Sequence, residues 1–284
     1  MSELELHRYP TVASFEDAVL PYLLDREAEH NVILGICHQI KAGVYRDFWL
    51  TAVTDGQAIV GAAYRTPPFV LGLAHMDDDR AVDLTAGAAR VDFGSLPAVV
   101  GAKASASRFA SIWPALSGQT ASLGMQQRIY RLTAVREAPS PDGRARPATE
   151  TEAELLAQWI EAFAGETGAG AMHAPADWVA MRLAQDAASG LWVWEDAGEV
   201  VSMAAYTGPT PNGIRVNGVY TPPERRGHGY ATSCVATLSA WLLSRGRTFC
   251  FLYTDLSNPT SNAVYQRIGY EPVVDVDQYA FGDP

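Results

Sequence analysis

The sequence lacks any apolar run close to the roughly 18 residues that a membrane-spanning helix needs, which argues against a membrane location. Cysteine is scarce too. The three that occur, Cys37, Cys234 and Cys250, are scattered and odd in number, which excludes a disulfide framework and matches no zinc-ligand spacing. A reducing cytoplasm is the compartment this composition suits. The acidic opening, Met1 to Leu6, has none of the pattern of a signal peptide. Positive charge is in short supply: 21 Lys and Arg stand against 32 Asp and Glu, a net charge of −11. Neither nucleic acid nor an anionic membrane is expected as the main partner of such a chain.

Apolar residues, by contrast, make up 48% of the 284 positions, enough for a sizeable core and about two domains. The charge is unevenly spread. Residues 1–136 hold 12 basic and 14 acidic side chains, whereas 137–284 hold 9 and 18. Four of those nine, Arg225, Arg226, Arg245 and Arg247, border one predicted helix. A basic focus on an acidic background suits an anionic cofactor and, less specifically, a cationic amine substrate; an acidic surface also serves solubility.

Periodicity and turn chemistry predict helices over 14–24 and 27–44, a hairpin of strands 48–54 and 57–64 across Asp55-Gly56, and a third strand at 69–74. A helix near 79–89, a strand at 96–100, a helix at 105–116 and an alternating strand at 123–135 follow. Residues 136–149 carry three prolines and no apolar period, and read as a linker. Beyond it, Thr149-x-x-Glu152 signals a helix start. Helices are then predicted to about 164 and over 175–189, with a hairpin at 191–195 and 199–206 and a strand at 214–221. The chain closes with a helix over 229–244, a strand at 248–253, a short helix at 259–268 and a strand region at 270–281.

The halves repeat each other. Gly56-Gln-Ala-Ile-Val-Gly-Ala-Ala-Tyr-Arg-Thr-Pro67 lines up without a gap on Gly198-Glu-Val-Val-Ser-Met-Ala-Ala-Tyr-Thr-Gly-Pro209, 142 residues later, and the order of elements around each agrees. Two copies of one α/β unit are predicted, each an α+β arrangement of a mixed, mostly antiparallel sheet flanked by helices. The expected domains are 1–135 and 150–284.

The stretch Val219-Tyr220-Thr221-Pro222-Pro223-Glu224-Arg225-Arg226-Gly227-His228-Gly229-Tyr230-Ala231-Thr232 ends a strand, makes a basic turn and opens a helix. Gly227 and Gly229 let the backbone approach a ligand closely. The helix start offers free N–H groups and a positive dipole end, and the two guanidinium forks suit phosphate. The turn lacks the Lys-Ser/Thr of a P-loop and the longer dinucleotide fingerprint with its acidic ribose partner. In the first copy the corresponding residues are His75-Met76-Asp77-Asp78-Asp79-Arg80. Three aspartates would repel a pyrophosphate, so only the second copy is expected to bind one.

The spacing Arg226-x-x-Gly229-x-Ala231 resembles the coenzyme A pyrophosphate loop of the GCN5-related N-acetyltransferase (GNAT) superfamily. A second motif is similar as well: Tyr253-Thr-Asp-Leu-Ser-Asn258-Pro-Thr-Ser-Asn262-Ala-Val-Tyr265-Gln-Arg-Ile-Gly-Tyr270 looks like that family's late strand, loop and short helix. The resemblance covers the C-terminal half and reaches the N-terminal half only through the repeat, whose copy is then a degenerate one. It implies acetyl-CoA as cofactor, held by the turn from Val219 to Thr232, with Asn258 or Asn262 at the pantetheine arm or helix cap. It implies further that the pantetheine bonds to open backbone groups of Val219 to Thr221, where one N–H polarises the thioester carbonyl. An amine would attack directly, and Tyr265 would protonate the departing thiolate.

The general base is not legible. Relatives often carry a carboxylate on the strand before the turn, but here that strand reads Gly213-Ile-Arg-Val-Asn217-Gly-Val219. Asn217 could position a water, and Glu195, Asp255, Asp275 or Asp277 could reach the cleft. His228 suits a backbone role in the turn, and His173 precedes a helix that lines the acceptor site in this family. Trp192 and Trp194 alternate along a strand and suit core packing. The favoured activity is acetyl transfer from acetyl-CoA to a small primary amine, by a monomer or homodimer. Two alternatives stay open: a tandem transferase acting on a thiol-cofactor precursor or an aminoacyl group, and an acyl-CoA-binding sensor without turnover.

Overall fold

The computed structural model describes residues 3–136, 140–167 and 174–283. The chain divides into two compact units, one of Met1–Ile129, Asp255–Ser257 and Val273–Pro284, the other of Tyr130–Thr254 and Asn258–Pro272.

In the first unit, strands β1 (Leu4–Arg8), β2 (Trp49–Asp55), β3 (Ala58–Arg65), β4 (Leu71–Leu73) and β5 (Ala98–Ala102) lie side by side in that order, followed by the C-terminal strand β12 (Glu271–Gly282). All neighbours are antiparallel except β4 and β5. Helices α1 (Val12–Asp25) and α2 (Asn31–Lys41) cover one face, and α3 (Asp79–Phe93) and α4 (Lys103–Ser117) the other. Side-chain alternation sorts the core accordingly: Leu50, Ala52 and Tyr64 pack with Phe15, Val19 and Leu23, while Val53, Leu71 and Val99 pack with Val82, Phe109 and Trp113.

The second unit repeats this plan. Strands β7 (Arg144–Pro147), β8 (Gly190–Asp196), β9 (Glu199–Thr207) and β10 (Gly213–Tyr220) pair antiparallel, and β10 pairs parallel with β11 (Phe249–Asp255). Helices α5 (Ala153–Thr167) and α6 (Pro175–Leu183) pack Leu156, Ile160 and Val179 onto one face, against Leu191, Val193 and Met203. On the other face α7 (Tyr230–Ser244) and α8 (Pro259–Arg267) meet Trp192, Trp194, Ile214 and Val216. Each fully buried side chain of this size contributes about 1.5–3 kcal/mol. The repeated hairpins agree down to a register shift in each, after Val53 and after Trp194. Gly56 and Gly198 take up positive φ at their tips.

Three expectations change. The linker at 136–149 contains a strand: Arg144–Pro147 forms β7, pinned by Arg146, whose Nε donates to Glu195 (2.7 Å) and whose Nη2 donates to Glu152 (2.5 Å). Its prolines hid a four-residue strand, a length at which periodicity carries no signal. The strand β1 also escaped the sequence reading, for the same reason. Finally, the C-terminal residues 273–284 belong to the first unit, where Val276–Ala280 pair with β5, although the sequence reading placed them in the second. Strand β6 (Thr120–Leu132) is divided likewise, with 120–129 in the first unit and 130–132 in the second.

Candidate functional site

Strand β10 builds the site. Ile214 and Val216 point into the α7 face, so Arg215 and Asn217 point to the α5–α6 face. A bulge follows: between the pairs Asn217–Ala205 and Tyr220–Met203, β10 advances three residues while β9 advances two. Gly218 takes φ +56° there, and a Cβ on it would lie 2.9 Å from the Trp178 ring. The extra residue reverses the alternation, so Tyr220 joins the α5–α6 core. Ser202 holds the new register by donating from Oγ to the Tyr220 carbonyl (3.0 Å). Among the described residues β10 and β11 pair only over Gly213–Arg215 and Phe249–Phe251. Beyond that the two parallel strands part, leaving main-chain groups of Val216 to Tyr220 facing the gap.

The basic turn comes next. A short 3₁₀ turn, Pro223–Arg225, leads to Gly227 and Gly229, both at φ +85°. Gly227 has open space where a Cβ would stand, so its conformation and not crowding requires glycine. Gly229 is the N-cap of α7, and no side chain caps that helix start. The amides of Tyr230, Ala231 and Thr232 make up its first turn, an opening suited to an anion. His228 stacks on Tyr230 (5.4 Å between centroids), and the Tyr230 hydroxyl donates to Asp196 (2.6 Å). Thr221 shares a hydrogen bond with Ser202 (2.8 Å), and Val219 is half-buried.

Both arginines of the turn have carboxylate partners. Arg225 pairs with Glu199 (2.5 Å). Arg226 donates from Nε to the Thr221 carbonyl (2.8 Å) and from Nη2 to both oxygens of Glu166 (2.8 Å each). Glu166 also lies 3.5 Å from the Tyr220 hydroxyl, which makes it the carboxylate beside the bulged strand. The sequence reading missed it, because Glu166 sits at the end of α5 with no motif around it. Arg226 and Glu166 are 47% and 46% exposed, so their pairing is weak enough to yield to a phosphate.

In α8 the residues of the second motif divide their roles. Asn258 is the N-cap and accepts from the Ser261 amide (3.0 Å). Asn262 is used inside the fold: its Oδ1 accepts from Tyr130 (2.9 Å) and Thr254 (2.6 Å), and its Nδ2 donates to the Asn258 carbonyl (2.7 Å). Tyr265 is 9% exposed, its ring edge-on to Tyr270 at 5.9 Å. Its hydroxyl has no hydrogen-bond partner among the described residues, and burial pushes its pKa up to about 12.

The carboxylates considered as bases are engaged elsewhere. Glu195 binds Arg144 and Arg146 (3.0 and 2.7 Å), and Asp255 accepts from the Ser257 amide (2.7 Å). Asp275 and Asp277 lie in the first unit, the former paired with Arg128 (2.6 Å), the latter buried. Asn217 faces the α5–α6 side with its Oδ1 buried and unpartnered. His173 lies outside the described residues. Trp192 and Trp194 are core, the first 5.2 Å from Trp241.

In the first unit the start of α3 is built for a different task. Asp78 caps the helix by accepting from the Arg80 amide (2.9 Å), so a carboxylate already occupies that helix start. Asp77 pairs with Arg26 (3.0 Å) and His75 (2.9 Å). A second hydrogen bond, donated by His75 Nδ1 to Glu29 (2.8 Å), raises the His75 pKa above its usual value. A cleft of about 470 Å³ lies here, lined among others by Tyr22, Arg26, His75 and the three aspartates. No glycine with positive φ opens the backbone, unlike the turn of the second unit.

A parted pair of parallel strands, a bulge and an uncapped helix behind a two-glycine basic turn narrow the choice of family. Residues 153–270 match the acetyltransferase (GNAT) family. Residues 153–270 therefore form a GNAT acetyltransferase domain. Solved GNAT structures share the fold of both units. A GCN5-related N-acetyltransferase from Sphaerobacter thermophilus is 14% identical, with 99% of this chain and 96% of that one covered at a TM-score of 0.64. A GNAT-family acetyltransferase from Colwellia psychrerythraea is 11% identical, covering 98% and 99% at 0.59. A tandem GNAT protein from the clavulanic acid biosynthesis pathway is 13% identical, covering 99% of each chain at 0.55. No curated protein is a recognisable sequence relative of the chain. GNAT enzymes use acetyl-CoA as co-substrate.

Proposed function

We propose that the protein transfers an acetyl group from acetyl-CoA to the primary amine of a small molecule, by direct attack in a ternary complex. The observation that carries this is the parting of β10 from β11 at the bulge, beside a helix start that only main-chain glycines cap. The gap offers backbone donors and acceptors to an extended pantetheine arm, and Gly227 to Thr232 offer the pyrophosphate unpaired amides with Arg225 and Arg226 at their flank. Acetyl-CoA supplies an activated thioester carbonyl. A rigid N–H at the bulge is suited to the charge that develops on that oxygen.

Tyr265 fits the general-acid role because its phenol stays protonated at neutral pH and its hydroxyl has no partner among the described residues. Asn258 is the asparagine nearer the cofactor role, since Asn262 is consumed by Tyr130 and Thr254. Asn217 can hold a water that carries the amine's proton away. Three buried thiols suit a cytoplasmic setting.

A second reading has one observation in its favour: β10 carries no carboxylate, as an acyl-CoA-binding sensor without turnover would allow. Incubating the protein with acetyl-CoA and a mixed panel of small amines, with thiol release and mass spectrometry as readouts, decides between them. Acetylated amine is the expected product. Coenzyme A binding with no product from any amine would favour the sensor.

A further inference from the structure

The α5–α6 face of β10 carries two cations that have no counter-ion among the described residues. Arg182 of α6 is 8% exposed. Its Nη1 donates to the Trp178 carbonyl (2.9 Å) and its guanidinium lies 3.7 Å from the Trp178 ring centroid, while its Nε is buried with no partner. Arg215 of β10 also has a buried Nε without a partner. The two guanidinium groups are near enough to repel, and the charge of Arg215 adds to burial in lowering the Arg182 pKa. Neither joins an ion pair among the described residues. The sequence between α5 and α6, Gly168 to His173, contains no acidic residue that could neutralise them.

Burying like charges together costs free energy that no ion pair among the described residues offsets. Such a conflict persists where a ligand resolves it. The third unpartnered atom on the same strand face is Asn217 Oδ1, an acceptor. Arg215 and Asn217 stand two residues apart on one strand, about 6.6 Å between Cα atoms, so a single small molecule can touch both. The Trp178 ring connects the two ends, since it shields Arg182 and lies against Gly218 at the bulge.

We propose that Arg182 and Arg215 seat a carboxylate of the acceptor, so that the substrate is an amine that also bears a carboxylate, with its N–H donating to Asn217. This rests on the transferase reading above for the role of the site, though not for its ability to bind. The planar carboxylate suits two guanidinium groups that each offer an unused Nε–H.

The test uses glycine, β-alanine, γ-aminobutyrate and the common L-amino acids, each beside its carboxamide, with ethanolamine and phosphoethanolamine as a further pair. Two readouts are taken: thermal stabilisation of the protein by each probe, and acetylation of each probe with acetyl-CoA. At least one acid should both stabilise the protein and exceed its amide in kcat/KM by about tenfold or more, the loss expected when a buried charged partner goes unmatched. Arg215→Gln should bring that ratio close to one and leave coenzyme A affinity unchanged. Because it relieves the repulsion, it should leave Tm equal or raise it by about 2–4 °C. Arg182→Gln should behave alike; Arg215→Gln, on a half-buried residue, keeps the test open if Arg182→Gln fails to fold.

Acids that neither stabilise the parent nor react better than their amides would overturn the proposal. A preference confined to phosphoethanolamine would overturn it too, as would a lower Tm with intact acid preference in Arg215→Gln. Acids that stabilise the parent through Arg215 without being acetylated would uphold the seat and count against acetyl transfer. Acids and amides acetylated equally would do the reverse.

Discussion

Single residues carry the chemistry, and Tyr265 is the one whose role separates most cleanly. If its phenol protonates the departing thiolate, Tyr265→Phe keeps the ring against Tyr270 and removes only the acid. General acid catalysis is typically worth about 10²–10⁴-fold, so turnover should fall at least about tenfold while coenzyme A affinity stays close to the parent's. Steady-state kinetics beside calorimetry reads both. Turnover within about a factor of two of the parent would remove Tyr265 from the mechanism. Glu166 gives a second test at this scale. It holds Arg226 in an exposed pair, which has to open before the guanidinium can face phosphate. Glu166→Gln should therefore tighten coenzyme A binding, by up to about fivefold, the equivalent of the roughly 1 kcal/mol upper end for exposed pairs. Weaker binding on titration would show instead that Glu166 helps to hold the ligand.

At the scale of elements, the turn before α7 is the feature to break. Its two glycines adopt a conformation that costs other residues about 1–2 kcal/mol, and its helix start has no side-chain cap. Arg226→Glu with Gly229→Asp reverses a charge and places a carboxylate where α3 of the first unit already has Asp78. Coenzyme A binding should be lost, with a Tm only slightly lower than the parent's. Unchanged affinity by calorimetry would detach the phosphate role from this turn. The same comparison explains why one fold plan serves two ends. In α3 the capping carboxylate satisfies the helix start internally, whereas in α7 no side chain caps that start.

For the whole molecule, that asymmetry predicts one coenzyme A per chain, bound by the second unit. The aspartates at the start of α3 disfavour an anion there, and Asp77 and Asp78 are already engaged with Arg26, His75 and Arg80. Titration should give a stoichiometry near one, and Asp78→Ser should not raise it. Two molecules bound per chain would show that the first unit kept the function after all.

Much of this was legible in the chain itself. The repeat at 56–67 and 198–209, the turn residues and the 3.6-residue and alternating patterns are local, and local sterics determine what Gly227, Gly229 and the two hairpin tips can do. The order of elements followed from the same signals, as did the choice of family. Tertiary structure decided what depends on partners distant in sequence. One neighbour of β12 is β5, some 170 residues away, because an alternating strand fits any open edge of the right polarity and only the assembled sheet selects among them. Asn262 rather than Asn258 turned out to be spent on the fold, since Tyr130 and Thr254 are not neighbours in sequence. Glu166, Arg182 and Arg215 carry no motif at all. Their meaning comes from where the bulge at Gly218 and the helices α5 and α6 bring them, and for the two arginines from having no carboxylate partner among the described residues where burial makes charge expensive.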